Sequence, residues 1–172
     1  VGQGRMAEPE DIVREIEDNF STTQPLKGKK VLITAGPTYE AIDPVRFVGN
    51  FSTGKMGIAL ANEAAKQGAE VHLVLGPSAE KNINNHIHLC RVVSAKQMYE
   101  AAVERFSSCD IAILAAAVAD YTPEVVAPEK IKKKGDNFNL NLIPTVDILA
   151  SLGKLKTTQK LIGFALETEN EI

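Results

Sequence analysis

Residues 31–57, VLITAGPTYEAIDPVRFVGNFSTGKMG, constrain this chain most. A short apolar run enters a long connection rich in glycine, proline and threonine, and only then a helix. Val31, Leu32, Ile33 and Ala35 have the character of a strand buried on both faces of a parallel sheet, and Gly36-Pro37 ends the run. Helical character resumes after Ser52-Thr53-Gly54, where the free N–H groups of a first turn are open to an anion. Residues 38–50, which include Asp43-Pro44, Arg46 and Asn50, make a costly loop for a mere connection. The stretch therefore reads as a nucleotide or phosphate cradle, set against the plainer reading of Ser52 or Thr53 as an ordinary N-cap.

The rest of the chain supplies a sheet around this element. Residues 54–67 predict a helix rich in small residues, with Met56 and Leu60 turned inward and Gly68 as its cap. Strands are expected at 70–75, 88–93, 111–118, 137–142 and 161–166. A helix capped by Ser94 is expected at 95–106, and a short one at 146–155. The third strand follows the second through a loop or irregular crossover. This alternation predicts an α/β fold, a Rossmann-like doubly wound and mostly parallel sheet, C-terminally truncated because such a sheet normally continues. Residues 1–20 predict an amphipathic helix with Pro9 at its first position, 21–30 a linker, and 31–172 the nucleotide-binding domain. Residues 121–135 read as a long mobile excursion.

Composition excludes some classes. No apolar run approaches the roughly 18 residues of a membrane span, and a net charge of −3 argues against a nucleic-acid surface. Cys90 and Cys109 lack metal spacing and read as reduced, buried thiols of a cytoplasmic protein. His86 and His88 read as surface residues with no acid nearby, and His72 as a half-buried imidazole; no metal ligands are assigned. No serine or cysteine is set beside a base for a catalytic triad.

The familiar cradles fail on named residues. The run from Gly49 to Lys55 approaches a Walker A pattern, but Met56 stands where a magnesium-binding hydroxyl belongs, and the run lies far beyond its strand. No GxGxxG follows Ala35, and no acid ends the second strand, which disfavours a nicotinamide-binding reductase. What remains is Ser52, Thr53, Gly54 and Lys55 at a helix start. Two further elements join it. Ala115, Ala116 and Asp120 lie at the carboxyl end of a buried strand, where open α/β sheets bind ligands; the plain alternative has Asp120 capping the next turn. Lys130 opens a lysine cluster that is either a solvated face or a flap closing over phosphate.

Taken together, ITAGPTYEAIDPVRFVGNFSTGKMG, AAAVADYTPEVVAPEKIKKKG and GFALETEN resemble the phosphopantothenate cysteine ligases (phosphopantothenoylcysteine synthetases) of coenzyme A biosynthesis, in their bacterial CTP-using form. The likeness covers residues 27–168. It implies CTP and Mg2+ as cosubstrate and ion, 4'-phosphopantothenate and cysteine as substrates, and a homodimer. It also implies fusion behind a flavin-dependent decarboxylase, whose tail residues 2–13 resemble, so that FMN belongs only to that other domain. The reaction implied is attack of the phosphopantothenate carboxylate on the α-phosphate of CTP, followed by aminolysis of the acyl-cytidylate by cysteine.

Carried onto this sequence, the resemblance places Gly36 and residues 52–56 near the triphosphate and Asn50 at the acyl-cytidylate carbonyl. Ala115, Ala116 and Asp120 would lie beside cytidine, and Phe164 near the base. Lys130 would be the flap lysine of the cysteine-dependent step. Asp147 and Ile148 match part of an NPDI-like nucleotide segment, preceded here by Thr145-Val146. Relatives continue past Glu169-Asn170 with further basic contacts, which implies weak or no turnover for a chain ending at Ile172. A non-catalytic nucleotide-binding or assembly domain is the alternative reading.

Overall fold

The computed structural model describes residues 6–20, 24–133, 135 and 137–165. Lys134, residues 21–23 of the expected linker and residues 166–170 of the GFALETEN motif lie outside them.

Five strands form one parallel sheet: β1 (Lys30–Ala35), β4 (Glu70–Leu75), β5 (His88–Arg91), β6 (Ile111–Leu114) and β9 (Lys160–Gly163), in the spatial order β5-β4-β1-β6-β9. The chain builds outward from β1 to β5, then crosses back to β6 on the other side of β1. A sheet that reverses direction in this way leaves a crevice at the carboxyl ends of the two strands flanking the switch, here β1 and β6. The α/β, Rossmann-like expectation therefore holds, including the non-helical crossover between β4 and β5.

Burial on both faces explains why β1 is apolar throughout. Leu32 packs with Met98, Ala102, Phe106, Ala112 and Leu152 beneath α3 (Ala95–Phe106) and α4 (Ile148–Leu155). Val31, Ile33 and Ala35 face Ile58, Ala61 and Ala64 of α2 (Lys55–Lys66). Helix α2 lies so close to β1 that a Cβ added to Gly57 would stand 2.4 Å from that of Ala35. The expectation that Met56 faces inward is wrong for the same reason: its neighbour Gly57 makes the contact, and Met56 is 50% exposed. Helix α3 begins where expected, closed by a reciprocal capping box between Ser94 and Gln97.

Two small antiparallel pairs stand at the carboxyl rim. β2 (Tyr39–Ala41) pairs with β3 (Phe47–Gly49), and the Tyr39 and Phe47 rings stack at 3.8 Å. β7 (Tyr121–Pro123) pairs with β8 (Leu142–Pro144). The strand expected at 137–142 is thus displaced: only three residues find a partner, and they start at Leu142. The strand expected at 111–118 stops at Leu114, the one expected at 88–93 stops at Arg91, and α4 starts at Ile148, after Asp147 caps it. Helix α1 (Pro9–Phe20) forms with Pro9 first, and Ile12, Val13 and Ile16 are exposed.

Candidate functional site

The site begins where β1 stops. Gly36 has φ +78, and β1 ends before it as expected; beyond that end the Ala117 N–H donates to the Gly36 carbonyl at 2.9 Å, and Pro37 makes one isolated bridge to Ala117. The irregular strand end continues as Ala119 N–H donates to Thr38 Oγ1 at 2.9 Å, with Thr38 fully buried. Between Leu114 and Ala117, the Ala115 N–H donates to the Thr34 carbonyl at 3.1 Å, and Ala116 packs, partly buried, against the core beneath α3 and α4.

Above this floor sits the start of α2. Gly54 is the N-cap, left-handed at φ 80, and no side chain caps the helix. A Cβ on Gly54 would stand 3.2 Å from the Gly36 backbone, so the helix start and strand end meet at a distance only glycine allows. Ser52 and Thr53 are not the N-cap. Their hydroxyls turn back onto the Gly54 and Lys55 N–H groups at 3.3 and 3.4 Å, while Ser78 braces the turn by donating to the Thr53 carbonyl at 2.6 Å. An uncapped helix start carries partial positive charge and suits an anion. Lys55 lies on the surface, 3.6 Å from Glu80.

Asn50 reaches the same place from the β2–β3 hairpin. Its amide donates to the Val118 carbonyl at 2.9 Å, which locks the hairpin to the end of the β6 segment. Phe164 arrives from the other side, where its N–H donates to the Leu114 carbonyl at 3.2 Å and its ring is exposed. Asp120 is exposed and its carboxylate has no partner among the described residues, so it does not cap the following turn; Thr145 instead bonds the Asp120 carbonyl through its N–H at 2.8 Å. Asp147 caps α4 through the Ala150 N–H at 2.8 Å, and Ile148 is buried beneath that helix. Neither of these two side chains is free for a nucleotide.

The excursion after β7 is tethered at its base. Ala127 N–H donates to the Ile42 carbonyl at 2.9 Å, and Ile131 N–H donates to Asp43 Oδ2 at 3.1 Å. The Asp43 side chain has no exposed surface, and it also accepts from Arg46 and from the Val45 and Arg46 N–H groups at 2.9 Å. The Arg46 guanidinium first, and these N–H groups next, hold the Asp43 carboxyl well below the usual carboxylate range against the opposing effect of burial. Lys130, Lys132 and Lys133 stay exposed, with no partner for their ammonium groups among the described residues.

Three supporting residues escaped the sequence reading. Buried Glu40 accepts the Ala95 N–H at 2.8 Å, joining the hairpin to the start of α3. Thr38 and Thr145 both brace residues 119–120. Only the polar character of Glu40 and Thr38 beside a strand end hinted at this, since their partners lie far along the chain.

A parallel sheet whose strand order reverses between β1 and β6, with helices packed on both faces, defines an α/β domain of the Rossmann-like type. The family described as DNA/pantothenate metabolism flavoprotein C-terminal domain matches residues 26–172, and the chain belongs to it. It is 49% identical over 172 residues to the coenzyme A biosynthesis bifunctional protein CoaBC of Bacillus subtilis, covering 99% of this chain and 42% of that protein. A cysteine/cysteine sulfinic acid decarboxylase from an unknown prokaryotic organism is 56% identical, over 99% of this chain and 49% of its own length. The chain thus spans less than half the length of these relatives. The crystal structure of the C-terminal domain of a CoaBC protein superposes with a TM-score of 0.75 at 48% identity, over 87% of this chain and 69% of that one.

Proposed function

We propose that this chain carries the phosphopantothenate–cysteine ligase step of coenzyme A biosynthesis, CTP-dependent and proceeding through an acyl-cytidylate. The observation that carries this reading is the convergence of Gly36, Gly54 and Asn50 on one crevice between β1 and β6. In this reading the first turn of α2 receives the triphosphate, and the alanines at 115–116 leave room for cytidine, with Phe164 beside the base. Asn50 sits where the activated carbonyl would form. Its amide can exchange the Val118 carbonyl for the acyl oxygen, or hold the rim in place for it. The phosphopantothenate carboxylate attacks the α-phosphate and pyrophosphate leaves; the cysteine amine then attacks the acyl carbon and CMP leaves. Holding carboxylate and phosphate together supplies most of the acceleration, and Lys130 on its tethered flap offsets charge in the second step.

The site suits Mg2+. That ion binds through one or two carboxylates together with substrate phosphates, and Asp120 is an unpaired carboxylate on the crevice rim. When bound, it neutralises phosphate charge. The exposed apolar faces at Val45, Phe47 and Phe51 suit a second copy of the chain, and the exposed face of α1 suits a preceding decarboxylase domain, in which any FMN would reside. A cytoplasmic location follows from the substrates, and among the described residues no helix is long and apolar enough to cross a membrane.

The test separates the two partial reactions in the intact protein. With CTP and phosphopantothenate alone, pyrophosphate is released; with cysteine added, 4'-phosphopantothenoylcysteine forms. Lys130→Ala is expected to spare the first better than the second. Equal loss of both would remove Lys130 from the second step, and no CTP-dependent pyrophosphate release would favour a non-catalytic nucleotide-binding or assembly domain.

A further inference from the structure

The opposite rim of the sheet, at the amino ends of the strands, carries a cluster that the ligase reading does not use. Glu70 opens β4, and His72 follows two residues later on the same face. The β4–β5 register sets His88 directly beside His72. The two imidazoles stack with centroids 4.8 Å apart and planes 19° from parallel, and His72 Nε2 lies 3.1 Å from Glu70 Oε1. One donor atom from each of Glu70, His72 and His88 lies within 4.8 Å of the other two. The acid that the sequence reading found missing around His88 is thus supplied by the neighbouring strand.

We propose that Glu70, His72 and His88 form a binding site for one zinc ion. Two imidazole nitrogens and one carboxylate oxygen are the donors Zn2+ takes, with water completing a tetrahedron. The same set is poor for Mg2+ or Ca2+, which take oxygen ligands, so this site does not compete for the ion that travels with a nucleotide. With bonds of about 2.0–2.1 Å, a tetrahedral ion draws its ligand atoms to roughly 3.3 Å of one another. Half-buried His72 is the fixed post, and exposed Glu70 and His88 close by side-chain rotation alone. The opposing feature is Lys30, whose ammonium lies 3.6 Å from Glu70. That pair is half exposed and weak, so the lysine swings into water when the cation enters. The ion then clips β5, the edge strand, to β4, and stabilises the folded chain because the unfolded one has no such site.

The chain has three histidines, so the imidazole NMR signals of the metal-free 172-residue chain, with excess Mg2+ present, give a test that needs no variant. Addition of ZnCl2 shifts His72 and His88 together along one saturable curve and leaves His86 in place. The unfolding midpoint rises by about 2–4 °C, and His88→Ala weakens binding at least about tenfold. Silence of His72 and His88 at about 100 µM Zn2+ would overturn the site. Equal drift of all three histidines without saturation would do so too, as would binding that survives His88→Ala but disappears in Cys90→Ser.

Discussion

Asp43 and Ile131, 88 positions apart, are joined by a 3.1 Å hydrogen bond from the Ile131 N–H to Asp43 Oδ2. Arg46, paired with the same carboxylate, donates to the Ile131 carbonyl at 2.9 Å. Two side chains of the hairpin thus hold both polar groups of a single residue on the flap, and Lys130 is the next residue back. Asp43→Asn keeps the shape, but it weakens the Arg46 pairing and can turn an N–H toward donors. Product formation should fall about tenfold while pyrophosphate release changes less, and the double variant with Lys130→Ala should be no worse than Lys130→Ala alone. Rates within about twofold of wild type in both steps would show that the tether does not serve Lys130.

The same carboxylate gives a pH dependence of stability. Because its folded-state value is lowered, its contribution is complete above the unfolded value of about 4, and is lost as pH falls from there toward the folded value. The unfolding midpoint of the wild type should therefore drop more steeply than that of Asp43→Asn between about pH 5 and about pH 2. Parallel curves for the two proteins would contradict the assignment.

Asn50→Asp tests the hairpin lock. The amide that donates to the Val118 carbonyl at 2.9 Å becomes a carboxylate facing an acceptor, so an attraction turns into a repulsion. Acyl-cytidylate formation should fall about a hundredfold, with a change in unfolding midpoint of only a few degrees because the residue is exposed. Quenched-flow detection of the intermediate checks this.

Gly54→Ala forces a left-handed residue to carry a Cβ against the Gly36 backbone at 3.2 Å. The conformational cost is about 1–2 kcal/mol, and the helix start must move away from the strand end. Denaturant titration should show that loss, and CTP affinity should fall with it. Gly153→Ala, inside α4 with open space around the added methyl, is the matched control.

Much of this architecture was legible from local pattern. β1 could be read because a central parallel strand is apolar throughout, and α3 because Ser94 announces its start. What stayed hidden depends on distant partners. Glu40 finds Ala95 across 55 positions and Thr38 finds Ala119 across 81, and no local periodicity encodes either. Hydrophobicity suggests burial for Met56, whereas the closest contact of α2 with β1 belongs to Gly57 and Met56 is exposed. Residues 137–142 alternate like a strand, yet β7 offers only three residues for pairing. In the site, the turn at residues 52–55 can be read from its own hydroxyls and glycine, whereas the roles of Gly36 and Asn50 come only from the family resemblance. Asp147 and Ile148 enter through the family resemblance alone, and the structure adds that their side chains serve as a helix cap and a core residue.

Calorimetric titration of the protein with CTP, ATP and NADPH, each with Mg2+, tests the crevice most directly. Saturable binding of CTP in preference to ATP, lost in Gly54→Ala and retained in Gly153→Ala, is the predicted result. Binding of NADPH alone, or CTP binding indifferent to Gly54→Ala, would contradict it.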